Sequence, residues 1–207
     1  MELKETLIKR IVEAEWLQFQ QVQSIDGPTD CQQDRGTFEG MRTGQAISWS
    51  APALESYLED LENAKAQGRN LIAEKYAIMM AATAPQAYAE LAHHPPRNPP
   101  HVAALIDEVV TMVLAWQEQL CAAYPNILKR GRPLHSSADG PGITSFETYL
   151  RSELATYSLR TLKLYISHIR QQKASNINGA RITLAYMVSR YGYDSLEAAN
   201  QALGESA

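Results

Sequence analysis

The sequence predicts an all-α protein: a single-domain helical bundle of about seven to nine helices spanning residues 1–207. Three observations carry that prediction. Apolar residues recur at three- and four-residue spacing along most of the chain, and no segment shows the period-two alternation of a strand. Capping residues, together with Gly and Pro, punctuate the ends of these periodic stretches. A chain of 207 residues with 45% hydrophobic content is also large enough for one substantial core.

The elements follow in order. Residues 2–24 read as a helix whose inward side carries Leu3, Leu7, Ile8, Ile11, Val12, Phe19 and Val22. Residues 24–36 read as a loop, marked by Asp26-Gly27-Pro28, and residues 37–49 as a short helix. Ser50 can cap a helix that turns Leu54, Tyr57, Leu58 and Leu61 inward and stops at Gly68. Asn70 can cap the next, through Ala82, and Pro85 starts a brief turn or helix. His93-His94-Pro95-Pro96-Arg97-Asn98 is a loop. Asn98 is placed as an N-cap and Pro99 as the first helical residue of a helix reaching about Tyr124. That helix has a broad stripe (Val102, Leu105, Ile106, Val109, Val113, Trp116, Leu120), as expected of the most buried one. Residues 125–143 form the longest irregular stretch. Thr144 and Glu147 make a capping-box pattern before a helix that bends near Ser158 and runs through Ile169. Asn178 caps a helix to Tyr191, and Ser195 a last short one.

Bulk chemistry excludes several classes. A net charge of −4 and a pI near 5.7 draw the chain towards neither nucleic acid nor an anionic membrane. No apolar run is long enough to span a bilayer, and the start has no signal-peptide pattern. Cys31 and Cys121 make no disulfide framework, so a reducing cytoplasm is expected. There is no P-loop and no Gly-rich dinucleotide fingerprint, and no cofactor is expected. Glu90-x-x-His93 has the spacing of helical di-metal proteins, but only one such pair is present and Pro95 follows it, so no metal is expected. The basic cluster Lys129-Arg130-Gly131-Arg132 reads either as a solvated loop or as a clamp for phosphate or carboxylate.

The candidate site rests on polar residues placed where helix patterning wants apolar ones. Glu15 lies mid-stripe among Ile11, Val12, Phe19 and Val22, whereas Glu13 lies on the solvent side. It is either a structural carboxylate paired with Arg42 or a ligand-anchoring or acid–base group. Arg42 and Gln45 share a face with Phe38, Met41 and Trp49. They form either a buried ion pair that orients helices or a holder for an anionic or amide group, with Trp49 stacking on it. Glu153 repeats the anomaly between Tyr149 and Tyr157. In the loop between the first two helices, Cys31 is a candidate nucleophile, with Asp34 beside it and His168 as a general base. Cys121 ends an apolar stripe and reads as core filling.

Several stretches taken together resemble an uncharacterised bacterial family of all-helical domains of unknown function. They are Glu13-Ala-Glu-Trp-Leu-Gln-Phe19, Cys31-Gln-Gln-Asp34 and Thr37-Phe-Glu-Gly-Met-Arg42, followed by Gln45 and Trp49. Further matches are Glu55-Ser-Tyr-Leu-Glu-Asp60, Gly68-Arg-Asn70, Glu74-Lys-Tyr76, Ser145-Phe-Glu-Thr-Tyr-Leu150, Thr156-Tyr-Ser158 and Tyr191-Gly-Tyr193. The resemblance covers nearly the whole chain. It implies one intact domain and brings no reaction with it. Some relatives accompany a nucleotidyltransferase-like domain, which would imply a small-molecule modification pathway; no such domain is read in this sequence.

The functional expectation is a small-molecule-binding helical protein, an enzyme with a buried polar pocket and Cys31, Glu15, Glu153 and His168 as catalytic groups. Asp34, Arg42, Gln45, Trp49, Tyr149 and Tyr157 would contact the ligand. The competing expectation is a non-catalytic binding or interaction module in which the same residues form a satisfied structural network. The polar residues should in either case converge: Glu15, Arg42, Gln45 and Glu153 in one place, with Cys31 near its edge. Oligomeric state is left open.

Overall fold

The computed structural model describes residues 2–22, 33–92 and 94–205, with the side chain of Glu2 left aside. Among the described residues are eleven α-helices, one 3-10 turn and no strand. The helices are α1 (Glu2–Phe19), α2 (Arg35–Ala46), α3 (Ala51–Ala66), α4 (Leu71–Thr83), α5 (Pro85–Ala89) and α6 (Pro100–Ala123). They continue with α7 (Pro125–Leu128), α8 (Phe146–Leu154), α9 (Leu159–Ala174), α10 (Gly179–Arg190) and α11 (Leu196–Glu205). No helix among them is long and apolar enough to cross a membrane.

The all-α class holds, and the helix count exceeds nine for two local reasons. Pro125 opens a single turn, α7, inside the stretch read as irregular. The helix expected to bend near Ser158 instead breaks: α8 ends at Leu154, and the Ser158 side chain accepts from the Thr161 N–H to start α9. Two caps also move by one residue. Ser145, not Thr144, caps α8 by accepting from the Thr148 N–H. Pro99, not Asn98, is the N-cap residue of α6, and Asn98 instead donates to the Ala155 carbonyl at 2.9 Å. Asp34, Asn70, Asn178 and Ser195 each accept from a backbone N–H three residues on and so begin α2, α4, α10 and α11. Ser50 stands at the N-cap of α3 without a side-chain capping bond.

One large core unites the bundle. α1 lies along α3 and touches α2 and α4; α3 packs on α9; α6 meets α8, α9 and α10. The broad stripe of α6 is buried from Val102 to Leu120, which makes this longest helix the spine of the domain. Fully buried Leu54, Leu61, Leu154, Leu162 and Ile169 fill its surroundings. A satellite core of Leu120, Tyr124, Val188, Leu196 and Ala199 holds α11 against α7 and the end of α6.

The loop after α7 is built rather than loose. The Phe146 and Glu147 N–H groups donate to the Pro133 and Leu134 carbonyls at 2.7 and 3.0 Å, and the Ser136 N–H donates to Glu147 at 2.9 Å. Asp139 accepts from the Ser145 N–H at 2.6 Å and from the Thr148 hydroxyl. The start of α8 thereby fixes the loop in space.

Candidate functional site

The inward polar residues converge. Glu15 follows Ile11 by one turn of α1 and is 0% exposed, because α3 covers that face. α2 brings Arg42 across it, and α8 brings Glu153 from the other side, at 7% and 2% exposure. All five guanidinium N–H donors of Arg42 are used. Nε donates to Glu15 Oε2 at 2.7 Å and Nη2 to Glu15 Oε1, a bidentate fork. Nη2 also donates to Glu153 Oε1 at 3.2 Å, while Nη1 donates to Glu153 Oε2 at 3.0 Å and to Gln45 Oε1 at 2.8 Å. The carboxylates accept further: Tyr57 donates to Glu15 at 2.7 Å, and Tyr157 and Gln45 donate to Glu153 at 2.8 and 2.6 Å. Lys75, 3% exposed on α4, lies 3.5 Å from Glu153 and donates to the Tyr149 hydroxyl at 3.0 Å.

Two buried cations thus face two buried carboxylates, and the formal charge of the set is zero. Burial would raise the Glu153 carboxyl, but Arg42 and Lys75 outweigh it and hold the group well below the usual carboxylate range. Burial acts against the charge on Arg42 too, and Glu15 and Glu153 together push it well above its ordinary value. Lys75 is raised against the pull of burial by Tyr149 and Glu153. Burial first, and then the neighbouring carboxylates, push the hydroxyls of Tyr57, Tyr157 and Tyr165 up. These groups keep one protonation state at neutral pH.

The network forms one end of a cavity of about 280 Å³. Arg42, Gln45, Tyr149 and Glu153 are its polar floor. Its walls are apolar: Val113 and Trp116 from α6, Phe146 and Leu150 from α8, Ile169 from α9 and Met187 from α10. The cavity shares Gln117, Arg132, Phe146, Ala180, Thr183 and Met187 with a neighbouring, more open cavity of about 600 Å³ under the loop after α7. The smaller space sits near the lower end of the ~300–1,000 Å³ usual for small-molecule sites.

The structure distributes the remaining expected residues. Trp49 is 3% exposed and walled in by Tyr57, Tyr157 and Tyr165, with ring centroids 5.7, 5.7 and 4.3 Å away, so it stacks on tyrosines and lines neither cavity. Tyr157 likewise serves the network and lines neither cavity. His168 is half-buried and its Nε2 bonds the Ser48 carbonyl at 2.8 Å; a carbonyl only accepts, so this nitrogen carries a hydrogen. Asp34 is exposed and spent on capping α2. Cys31 and His93 lie outside the described residues. Cys121 is half-buried beside the open cavity, and burial pushes its thiol up. Among the described residues no group of three or more His, Cys, Asp or Glu could hold a metal ion.

Lys75 was not singled out, although its signal was present. It continues the stripe of Leu71, Ile72 and Met79 on α4, in the position Glu15 has on α1.

A family model described as protein of unknown function (DUF4125) matches residues 5–201. No curated protein and no solved structure matches the chain.

Proposed function

The chain belongs to this family of proteins of unknown function, and on that premise we propose that it binds a small molecule in the cavity lined by α2, α6, α8, α9 and α10. The observation that supports this reading is the combination of an apolar 280 Å³ cavity with a preformed polar floor. The floor costs no reorganisation, since its charges are already paired. Binding rather than chemistry is the favoured role. Glu153 and the buried tyrosines are held in forms that neither take nor give a proton near neutral pH. Arg42 has no N–H left for a ligand.

The test fills the cavity. Ala180 on α10 lines both spaces, and Ala180→Phe places a ring inside. Native mass spectrometry of the purified protein and a ligand screen by thermal shift should find a binder for the wild type that Ala180→Phe loses, with an affinity drop of at least about tenfold. Ligand shifts equal in both proteins would exclude the cavity as the site.

A second reading has its own support. A network in which every guanidinium N–H is used is what a purely structural registry device would need. On that reading the protein is an interaction module, and no compound of the screen would distinguish wild type from Ala180→Phe.

A further inference from the structure

The charges around the two cavities are not all paired. Arg42, Lys75, Glu15 and Glu153 cancel one another, and the other charged side chains lining either space are Arg132 and Lys129. Among the described residues neither of these two makes an ion pair. Arg132 lines both spaces and so stands where they join. Its guanidinium lies over the Tyr149 ring, 5.1 Å from the centroid, and donates to the Thr144 carbonyl at 3.2 Å. The loop that carries it is tied to α8 through Pro133 and Leu134, so the cation is held at the junction. Below it, the Tyr149 hydroxyl accepts from Lys75 and has no acceptor for its own hydrogen among the described residues. One side of the junction therefore offers two donors and a net positive charge; the other offers a pocket of Val113, Trp116, Phe146, Leu150, Ile169 and Met187.

We infer that the ligand is an amphipathic anion: an apolar body in the 280 Å³ cavity and a single anionic headgroup on Arg132, with Tyr149 as a second donor. This rests on the small-molecule reading above and adds its chemical class. An apolar body accounts for the walls; a negative headgroup matches the unpaired cations at the mouth and is the kind of partner a planar guanidinium holds well.

The experiment compares two probes of equal length, decanoate and decanol, by isothermal titration calorimetry. Wild type should bind decanoate about tenfold more tightly than decanol. Arg132→Gln should abolish the roughly tenfold preference for decanoate over decanol; Arg132 is exposed, so the change does not threaten the fold. Ala180→Phe should abolish both. Equal affinities in wild type, or an Arg132→Gln protein that keeps the preference for decanoate, would overturn the headgroup assignment while leaving the cavity reading intact. Decanoate binding that survives Ala180→Phe would mark a surface site and overturn the assignment too. Binding of neither probe would count against the cavity reading itself, and the assignment would fall with it.

Discussion

Arg42 decides whether two carboxylates can stay inside this protein. Removing one partner of a buried pair leaves an uncompensated charge, which costs about 3–5 kcal/mol. Arg42→Met should therefore destabilise by that order, read as a lower urea midpoint, because Glu15 and Glu153 would face each other with only tyrosine, glutamine and Lys75 donors. Arg42→Lys keeps the charge but brings three donors in place of five, and should recover only part of the loss. Converting Glu15, Arg42, Glu153 and Lys75 together to apolar residues of similar volume should cost less than Arg42→Met alone, since no charge is then stranded. At this scale much was legible. A carboxylate in an apolar stripe, as at positions 15 and 153, has to find a cation. What periodicity does not carry is the identity of the neighbour: it gives the inward face of Trp49 but not the three tyrosines that enclose it.

Helices meet closely where α2 runs against α10, and two glycines of α2 separate two kinds of contact. A Cβ on Gly40 would meet the flexible end of Arg190 at 2.7 Å, whereas one on Gly44 would meet the Tyr186 ring at 3.0 Å and the Met187 sulfur at 3.3 Å. Gly→Ala in a helix gains about 1 kcal/mol when nothing obstructs it. Gly40→Ala should raise the melting temperature, because Arg190 can swing away; Gly44→Ala should lower it, because its Cβ would press on the rigid Tyr186 ring as well as on Met187. Differential scanning calorimetry of the pair decides, and equal shifts would sink the argument. Element boundaries were legible wherever a single residue could cap, as at Asn70 and Asn178. They slipped by one where two candidates adjoin, at Asn98-Pro99 and Thr144-Ser145. There the choice is made by tertiary partners, such as the Ala155 carbonyl that claims Asn98.

For the whole molecule, the buried charges give stability a pH signature. Glu153 is held below its ordinary value in the folded state. Its contribution is complete above the unfolded value of about 4.3 and drains away as the pH falls through the folded one. Lys75 is raised, so its contribution is complete below about 10.4 and is lost only at still more alkaline pH. Urea unfolding of wild type should accordingly be flat between about pH 6 and 9 and decline below about 4. Glu153→Gln should be less stable at pH 7 and show a shallower acid decline. The all-α class was readable from periodicity alone, and so was the expectation that distant polar residues meet. A polar pocket was expected at the same residues, but its apolar walls were not readable, because they come from helices whose relative placement no local pattern encodes. Nor was the pairing of the basic loop with α8, which depends on backbone bonds from Phe146 and Glu147.

The same network ties the chain's stability to the order in which it is made. Glu15 and Arg42 are separated by 27 positions, but Arg42 and Glu153 by 111. A growing chain that has not yet produced Glu153 can pair Arg42 with Glu15 and Gln45, yet two guanidinium N–H groups then have no acceptor except water. In the finished chain α8 covers that side of Arg42, so before α8 exists the site stays open to water. The N-terminal half therefore has to stay open until α8 has been made, so a nascent chain released before residue 153 should remain sensitive to protease throughout α1 and α2.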